Sequence, residues 1–270
     1  MPGATVVDVV IVAYRSRDHL PRCLDSLARE AERVPLTVTV VDNASHDGTT
    51  ELVARDFPWV ELVALEENTG FARATNLGAS RGTAPHLLAL NPDTELPPGT
   101  LERLLAIFPE HPEVAVAGPR LEREDGSFDH AARRAFPTIA GALGHFSGAA
   151  RLVRTDRLLQ YRAPRVDRGV VDSVNGAFML MRRAAFEEVG GFDEGYWLYM
   201  EDLDLSYRLA EAGRLSWYEP SVTVLHAKGA SAGPVRSARL EVAFHRGMRR
   251  FYRSHYGPQR ARVTNAAVEA

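Results

Sequence analysis

Cysteine is nearly absent. Cys23 is the sole example among 270 residues, which excludes an internal disulfide and a cysteine-based metal cluster and is compatible with a reducing compartment. Lysine is as scarce: Lys228 stands alone, so almost all the positive charge is arginine. That usage fits a GC-rich genome rather than a particular chemistry. No stretch reaches the apolar length of a membrane span. Residues 1–5 lack a basic region followed by an apolar core, so no signal peptide is expected. No Gly-x-Gly-x-x-Gly follows the first apolar run, which argues against a dinucleotide-binding dehydrogenase. Nor does a glycine- and lysine-rich phosphate loop lie near the N-terminus, which argues against a nucleotidyltransferase. The net charge of -3 gives no reason to expect nucleic acid as a partner. There is no internal repeat and no low-complexity tract. What remains, 45% apolar and 25% charged, is ordinary for a soluble enzyme, and the length suits one large domain or two small halves.

The chain then reads as alternating elements. Residues 6–14 are apolar and β-branched, broken only by Asp8, and predict a buried parallel strand. A turn follows, with Ser16 or Asp18 as helix cap, and Leu20, Cys23, Leu24 and Leu27 recur at helical spacing. Residues 36–41 predict a second strand, ending in Asp42-Asn43-Ala44-Ser45 before a helix through Leu52 and Val53. Residues 60–65 predict a third, ending in Asn68-Thr69-Gly70-Phe71 before a helix with Ala72, Ala74, Asn76, Leu77 and Ala79. Residues 86–90 predict a fourth, stopped by Pro92, which has no N–H for a ladder bond. Strand alternating with helix is the pattern of a parallel sheet with helices on both faces.

The second half is less regular. A helix is expected over 97–108 and a short strand over 114–117. Residues 119–172, with Phe136, Ile139, Leu143 and Phe146 spread among Arg, Gly and Pro, predict a loop-rich segment with short helices; such segments often serve as lids or binding loops. A strand over 174–181 and a helix over 183–189 follow. Glu201, Asp202 and Asp204 open a helix closed by Gly213. Strands over 215–218 and 221–225 lead to His226. Residues 236–256 predict an amphipathic helix, with Leu240, Phe244, Met248, Phe251 and Tyr252 on one face and Arg239, Arg246, Arg250 and Arg253 on another. Beyond 258 a frayed tail is expected.

Asp93 stands at the carboxyl end of a central strand, where open α/β sheets put their ligands. A single Asp there suits a divalent cation shared with phosphate oxygens, although an Asp after Pro is also a common turn residue. The acidic trio at 201–204 equally complements a helix N-terminus, and a lone His such as His226 is more often structural than a ligand.

Taken in order, Val41-Asp42-Asn43-Ala44-Ser45, Asn68-Thr69-Gly70-Phe71 with Asn76, Asn91-Pro92-Asp93, Asn175-Gly176-Ala177, Gly191-Phe192-Asp193-Glu194 and Met200-Glu201-Asp202-Leu203-Asp204 resemble the motifs of family 2 glycosyltransferases. This is the inverting type with a GT-A fold, and the finer pattern resembles bacterial rhamnosyltransferases that use dTDP-L-rhamnose. The resemblance implies an α/β fold: a Rossmann-like, mostly parallel sheet with helices on both faces, plus the C-terminal amphipathic helix. It implies a GT-A domain over 1–230, with a nucleotide-binding half to about 117 and an acceptor-binding half after it, then a helix and tail over 231–270.

For the site it implies a donor pocket of Ala13, Tyr14, Arg15, Asp42, Asn68, Gly70, Asn76, Asn91 and Asp93. Asp42 would accept the imide N–H of uracil or thymine. Asp93 and His226 would hold Mg²⁺ or Mn²⁺. Asn91 replaces the first carboxylate of the common D-x-D pattern, so nucleotide phosphates must complete the metal site. Asp202 would be the base, since a carboxylate with a pKa of about 4 is ionised at neutral pH. Asp193, Trp197, Tyr199 and Glu201 would face the acceptor, while Arg208 suits pairing with Asp204 on one helix. The implied partners are dTDP-L-rhamnose and a lipid-diphosphate-linked saccharide at the cytoplasmic face of a bacterial membrane. The arginine face of the last helix itself suits peripheral contact with anionic headgroups or with the acceptor diphosphate, and equally a solvated face on a packed helix. Another donor (UDP-galactofuranose or UDP-N-acetylglucosamine) and a non-catalytic nucleotide-sugar binder are the alternatives.

Overall fold

The computed structural model describes residues 4–137, 167–227 and 238–257. Residues 138–166 of the expected loop-rich segment, with Ile139, Leu143 and Phe146, lie outside the described residues, as do the start of the C-terminal helix and the tail.

The strands are β1 (Val7–Ala13), β2 (Leu36–Asp42), β3 (Glu61–Ala64), β4 (His86–Leu90), β5 (Thr94–Glu95), β6 (Val114–Glu122), β7 (Arg133–Arg134), β8 (Gly169–Val171), β9 (Ser173–Val174), β10 (Phe178–Arg182) and β11 (Leu215–His226). The helices are α1 (Leu20–Ala31), α2 (Thr49–Asp56), α3 (Phe71–Ala79), α4 (Thr100–Leu105), α5 (Ile107–Glu110), α6 (Arg183–Glu188), α7 (Glu201–Glu211) and α8 (Ala238–His255). The main sheet runs β3-β2-β1-β4-β10-β6-β11-β5, with β8 against β11. β1 pairs in parallel with both β2 and β4, and β6 pairs in parallel with β11. The central run β3-β2-β1-β4 is parallel, as is β6 with β11, as expected of a mostly parallel sheet; β10, inserted between β4 and β6, and the short β5 and β8 against β11 pair antiparallel.

Every residue of β1 is buried, because helices cover both faces of the sheet. Asp8, the polar break in that run, accepts from Arg183 (2.7 Å), the Ala84 N–H (2.7 Å) and Thr37 (2.5 Å), so its charge is paired and hydrogen-bonded. The leucines and Cys23 of α1 face the core at the expected spacing. Burial pushes the Cys23 thiol up to about 12, so it stays neutral and unreactive.

Several boundaries differ from expectation. The strand expected over 174–181 is two: β9 pairs with β7 and β10 joins the main sheet, separated by a turn at Asn175-Gly176-Ala177. The two late strands are one, β11, in which the register slips around Glu219-Pro220. The helix over 97–108 divides into α4 and α5. Helix α1 begins at Leu20 with no side-chain cap; the backbone carbonyl of Ser16, rather than its hydroxyl, accepts the His19 and Leu20 N–H groups.

Helix α8 docks through Met248, Phe251 and Tyr252, all buried. Met248 and Phe251 pack with Tyr196, Met200 and Leu203. Side chains of this size contribute roughly 1.5–3 kcal/mol each on full burial, enough to fix α8 against α7. The close approach is made at Gly247, where a Cβ would meet the Tyr199 carbonyl at 2.9 Å.

Candidate active site

Adjacent strand ends build the first wall. Ala13 lies in register with Asp42, and the Ala13 carbonyl accepts the Asn43 N–H at 2.8 Å. Arg15 adopts φ 53° and donates its N–H to Ser45 Oγ at 3.0 Å, while its guanidinium lies 5.3 Å from the Tyr14 ring centre. Asp42 is 3% exposed and accepts from Ser45 and from Thr50 at 2.8 Å. Its two oxygens are thus oriented, with lone pairs left for a further donor.

A second loop is tied to the first. Asn43 accepts from the Thr69 N–H at 2.8 Å and donates to the Gly70 carbonyl at 3.1 Å. Asn68 closes a local turn on the Gly70 N–H. Gly70 is required on two counts. Its φ is +89°, and a Cβ would meet the Trp197 carbonyl at 2.3 Å. Trp197 in turn accepts the Phe71 N–H at 2.8 Å and donates its indole N–H to the Asn68 carbonyl. Asn76 is used differently from expectation: both ends of its amide bond the Phe192 backbone, at 2.8 and 3.0 Å. It fixes the 191–197 loop against α3 instead of pointing at a ligand.

The third group surrounds Asp93. His226 Nε2 lies 3.4 Å from Asp93 Oδ1, and Nδ1 lies 3.5 Å from Asp129 Oδ2. Asp93 Oδ1 and His226 Nδ1 are buried with no aligned hydrogen bond, so the Asp93 contact is one of charge and proximity only. Asn91 Nδ2 stands 3.5 Å from His226 Nε2. Burial alone would lower the His226 pKa, but Asp129 and Asp93 outweigh it and raise it to about 9. Among the described residues no three His, Cys, Asp or Glu side chains converge on one ion, because Asp129 lies on the far side of the imidazole. A divalent cation fits the remaining pair. An orphaned carboxylate oxygen and an imidazole nitrogen share one spot, and the second nitrogen faces a carboxylate, as is usual for metal-bound histidine.

Asp202 completes the arrangement. The Asn91 N–H donates to the Ala177 carbonyl at 2.9 Å, and the Gly176 N–H donates to Asp202 Oδ2 at 2.8 Å. One turn thus joins the Asp93 strand end to the head of α7. Arg134 also pairs with Asp202 Oδ2, and the Leu203 N–H with Oδ1. Beside it Glu201 is buried, its Oε2 lacks a hydrogen bond, and burial pushes its pKa up to about 7. Tyr199 and Met200 enter this helix at φ 71° and 75°, strain of a kind that gathers at functional sites.

Asp193, expected at the acceptor, instead holds Arg250 of α8 through two 2.8 Å bonds. Arg239 lies 4.4 Å from the Trp197 ring centre. The expected single arginine face therefore divides, with Arg239 and Arg250 turned onto the 193–199 loop. Asp204 is spent on structure, accepting from Arg208 at 2.8 Å as expected and from Tyr196 at 3.2 Å, with His255 Nε2 at 2.7 Å. Sequence reasoning missed Asp129 and Arg134, and it quoted Asn175 within a motif without giving it a role. The only local signal was Asp129 capping a short 3-10 turn at Ala131.

The mostly parallel sheet with helices on both faces is the GT-A glycosyltransferase fold, and its strand ends carry the candidate residues described above. The glycosyl transferase family 2 model matches residues 8–190, and the chain belongs to that family. It is 37% identical over 241 residues to an N-acetylglucosaminyl-diphospho-decaprenol L-rhamnosyltransferase of Mycobacterium tuberculosis, covering 84% of this chain and 78% of that protein. A pre-mycofactocin glycosyltransferase of the same species is 30% identical across 83% of this chain and 43% of its own. In fold the chain resembles a mannosyltransferase of Pyrobaculum calidifontis solved with GDP-Man and Mn²⁺, with a TM-score of 0.63, 17% identity and coverage of 99% and 69%. It also resembles GalNAc-T7 solved with UDP, GalNAc and Mn²⁺, with a TM-score of 0.63, 16% identity and coverage of 92% and 47%.

Proposed function

We propose that the protein transfers L-rhamnose from dTDP-L-rhamnose, with inversion, to a lipid-linked diphospho-sugar acceptor at the inner face of a bacterial membrane. The observation that carries the reaction is the link Asn91–Ala177, Gly176–Asp202, which sets a buried carboxylate opposite the strand end that bears Asp93. The choice of sugar and acceptor is supported by the mycobacterial relative.

Asp42 accepts the N–H of the thymine, and the backbone at Ala13, Tyr14 and Arg15 walls the ring. Asp93 and His226 would hold Mg²⁺ or Mn²⁺, which when bound neutralises charge on the leaving diphosphate. Asp202 takes the proton of the acceptor hydroxyl as its oxygen bonds C1 and the C1–O bond to the diphosphate breaks. Attack from the face opposite the leaving group inverts C1. Glu201 and Tyr199 line the approach beside it. The test is transfer from labelled dTDP-L-rhamnose, UDP-galactofuranose and UDP-N-acetylglucosamine to an N-acetylglucosaminyl diphosphate lipid. The reading predicts product with dTDP-L-rhamnose alone. Preference for either uridine donor would overturn the sugar assignment.

A further inference from the structure

Glu201 and Asp202 stand side by side at the head of α7, each 6% exposed, and the fold treats them differently. Glu201 keeps an oxygen with no hydrogen bond, and burial carries its pKa to about 7. Asp202 is fully engaged on one side. Its Oδ2 meets the Arg134 guanidinium and accepts the Gly176 N–H at 2.8 Å, while Oδ1 accepts the Leu203 N–H at 2.8 Å. An opposite charge in contact favours the ionised form of a buried carboxylate, as do hydrogen bonds to that form. Arg134 supplies the full charge in this set. The neighbouring cations Arg208 and His255 are taken by Asp204.

The contact is built into the packing. Arg134 lies on β7 in register with Ser173 of β9, and Ser173 Oγ is 3.0 Å from Ser206 Oγ on α7. Beyond Arg134, the Phe136 N–H donates to Asp172 at 2.9 Å. The Phe136 ring sits edge-on to Tyr207 of α7, with centres 5.1 Å apart. The partner strand and Phe136 thus both hold β7 against α7. The other approach depends on Gly176, where a Cβ would lie 3.0 Å from Asp202 Oδ2.

These bonds decide which oxygen is left to work. A carboxylate offers about four lone-pair sites, two on each oxygen. Arg134 and Gly176 use both on Oδ2. Among the described residues, Leu203 uses one on Oδ1. The remaining acceptor site is on Oδ1.

We propose that Arg134 is a positioning residue for the transfer: it holds Oδ2 of Asp202 so that the carboxylate stays charged and presents Oδ1 to the acceptor hydroxyl. The inference rests on the proposed role of Asp202 as the base. In the step itself the hydroxyl proton moves to Oδ1 while the hydroxyl oxygen bonds C1. The C1–O bond to the diphosphate breaks, and its electron pair leaves with the diphosphate. Arg134 neither gives nor takes a proton, as suits a guanidinium that stays charged throughout.

The test is a double-mutant cycle, read as single-turnover transfer at saturating donor. Arg134→Gln and Arg134→Lys are made in the parent and in Asp202→Asn, with donor affinity and melting curve measured for each. In the parent, Arg134→Gln should slow transfer by roughly 10²-fold, the cost of a misplaced reacting group. Arg134→Lys keeps the charge without the planar fork and should fall between that variant and the parent. Donor affinity should stay within about twofold. In the Asp202→Asn background neither change should cost more than about twofold, because residues that act as a unit are not additive. That background also lacks the buried charge that loss of Arg134 would strand. If Arg134→Gln melts below the assay temperature in the parent, Arg134→Lys completes the cycle. Equal losses in both backgrounds, or a parental rate in Arg134→Gln, would overturn the proposal and leave Arg134 a structural residue. A fall in donor affinity matching the fall in rate would overturn it too, assigning the guanidinium to the leaving diphosphate. In each of these cases a slow Asp202→Asn keeps the base assignment standing. Near-parental turnover by Asp202→Asn alone would remove the base, and this inference with it.

Discussion

Replacing Glu201 with Gln should flatten the pH dependence of stability by a calculable amount. The carboxyl is 6% exposed, and burial pushes its pKa from 4.5 to about 7. The folded protein therefore holds a proton that the unfolded chain has released between those values. The favourable contribution of this proton is full below about 4.5 and is lost as pH rises through 7. A shift of this size corresponds to about 3 kcal/mol, at 1.36 kcal/mol per pH unit. Gln keeps the shape and cannot ionise. The stability gap between Glu201→Gln and the parent should therefore widen in favour of the variant by about 3 kcal/mol between acidic pH and pH 8. Urea titrations of both proteins across that range read the gap directly. Parallel curves would refute the reasoning and mean that Glu201 is solvated or paired in solution.

Further outcomes follow from other parts of the site. Gly70→Ala should weaken nucleotide binding and lower the melting temperature, since a Cβ at φ +89° would strike the Trp197 backbone; a strained residue of this kind costs about 1–3 kcal/mol, readable by thermal melts with and without dTDP. Asp93→Asn and His226→Gln should each abolish metal-dependent donor binding, measured by calorimetry in Mn²⁺ and in excess chelator; chelator-resistant binding and turnover would remove the metal assignment. Because the imidazole must be neutral to take a metal and His226 holds its proton up to about 9, apparent Mn²⁺ affinity should fall about tenfold for each pH unit below that value.

The core was legible in the sequence because its central strands are largely buried on both faces and read as mostly apolar runs, with Asp8 the one charged break in the first. The runs expected over 6–14 and 36–41 fall within a residue of the observed strands, Val7–Ala13 and Leu36–Asp42. Where the backbone departs from regularity the reading failed. Residues 174–181 look like one apolar strand, yet Asn175 and Gly176 turn the chain so that an N–H reaches Asp202. Glu219-Pro220 looked like a strand end and is a slip within one long strand. Side chains at strand ends could be singled out because their setting is local. Asn76 and Asp193 could not be placed, since their partners Phe192 and Arg250 lie 116 and 57 residues away. Asp129 and Arg134 sit in the least patterned stretch, and only folding brings them to His226 and Asp202.

The central claim is that Asp202 removes the acceptor proton from a position facing a donor site it does not build. Its most direct test is single-turnover transfer by Asp202→Asn at saturating donor, with donor affinity measured on the same preparation. Asn preserves the shape and accepts the Gly176 N–H as before. Turnover should fall by about 10²–10⁴-fold, the usual contribution of a general base, while donor affinity stays within about twofold of the parent, as expected when an interaction made only in the transition state is removed. Near-normal turnover by this variant would contradict the account, as would a loss of donor binding equal to the loss of rate.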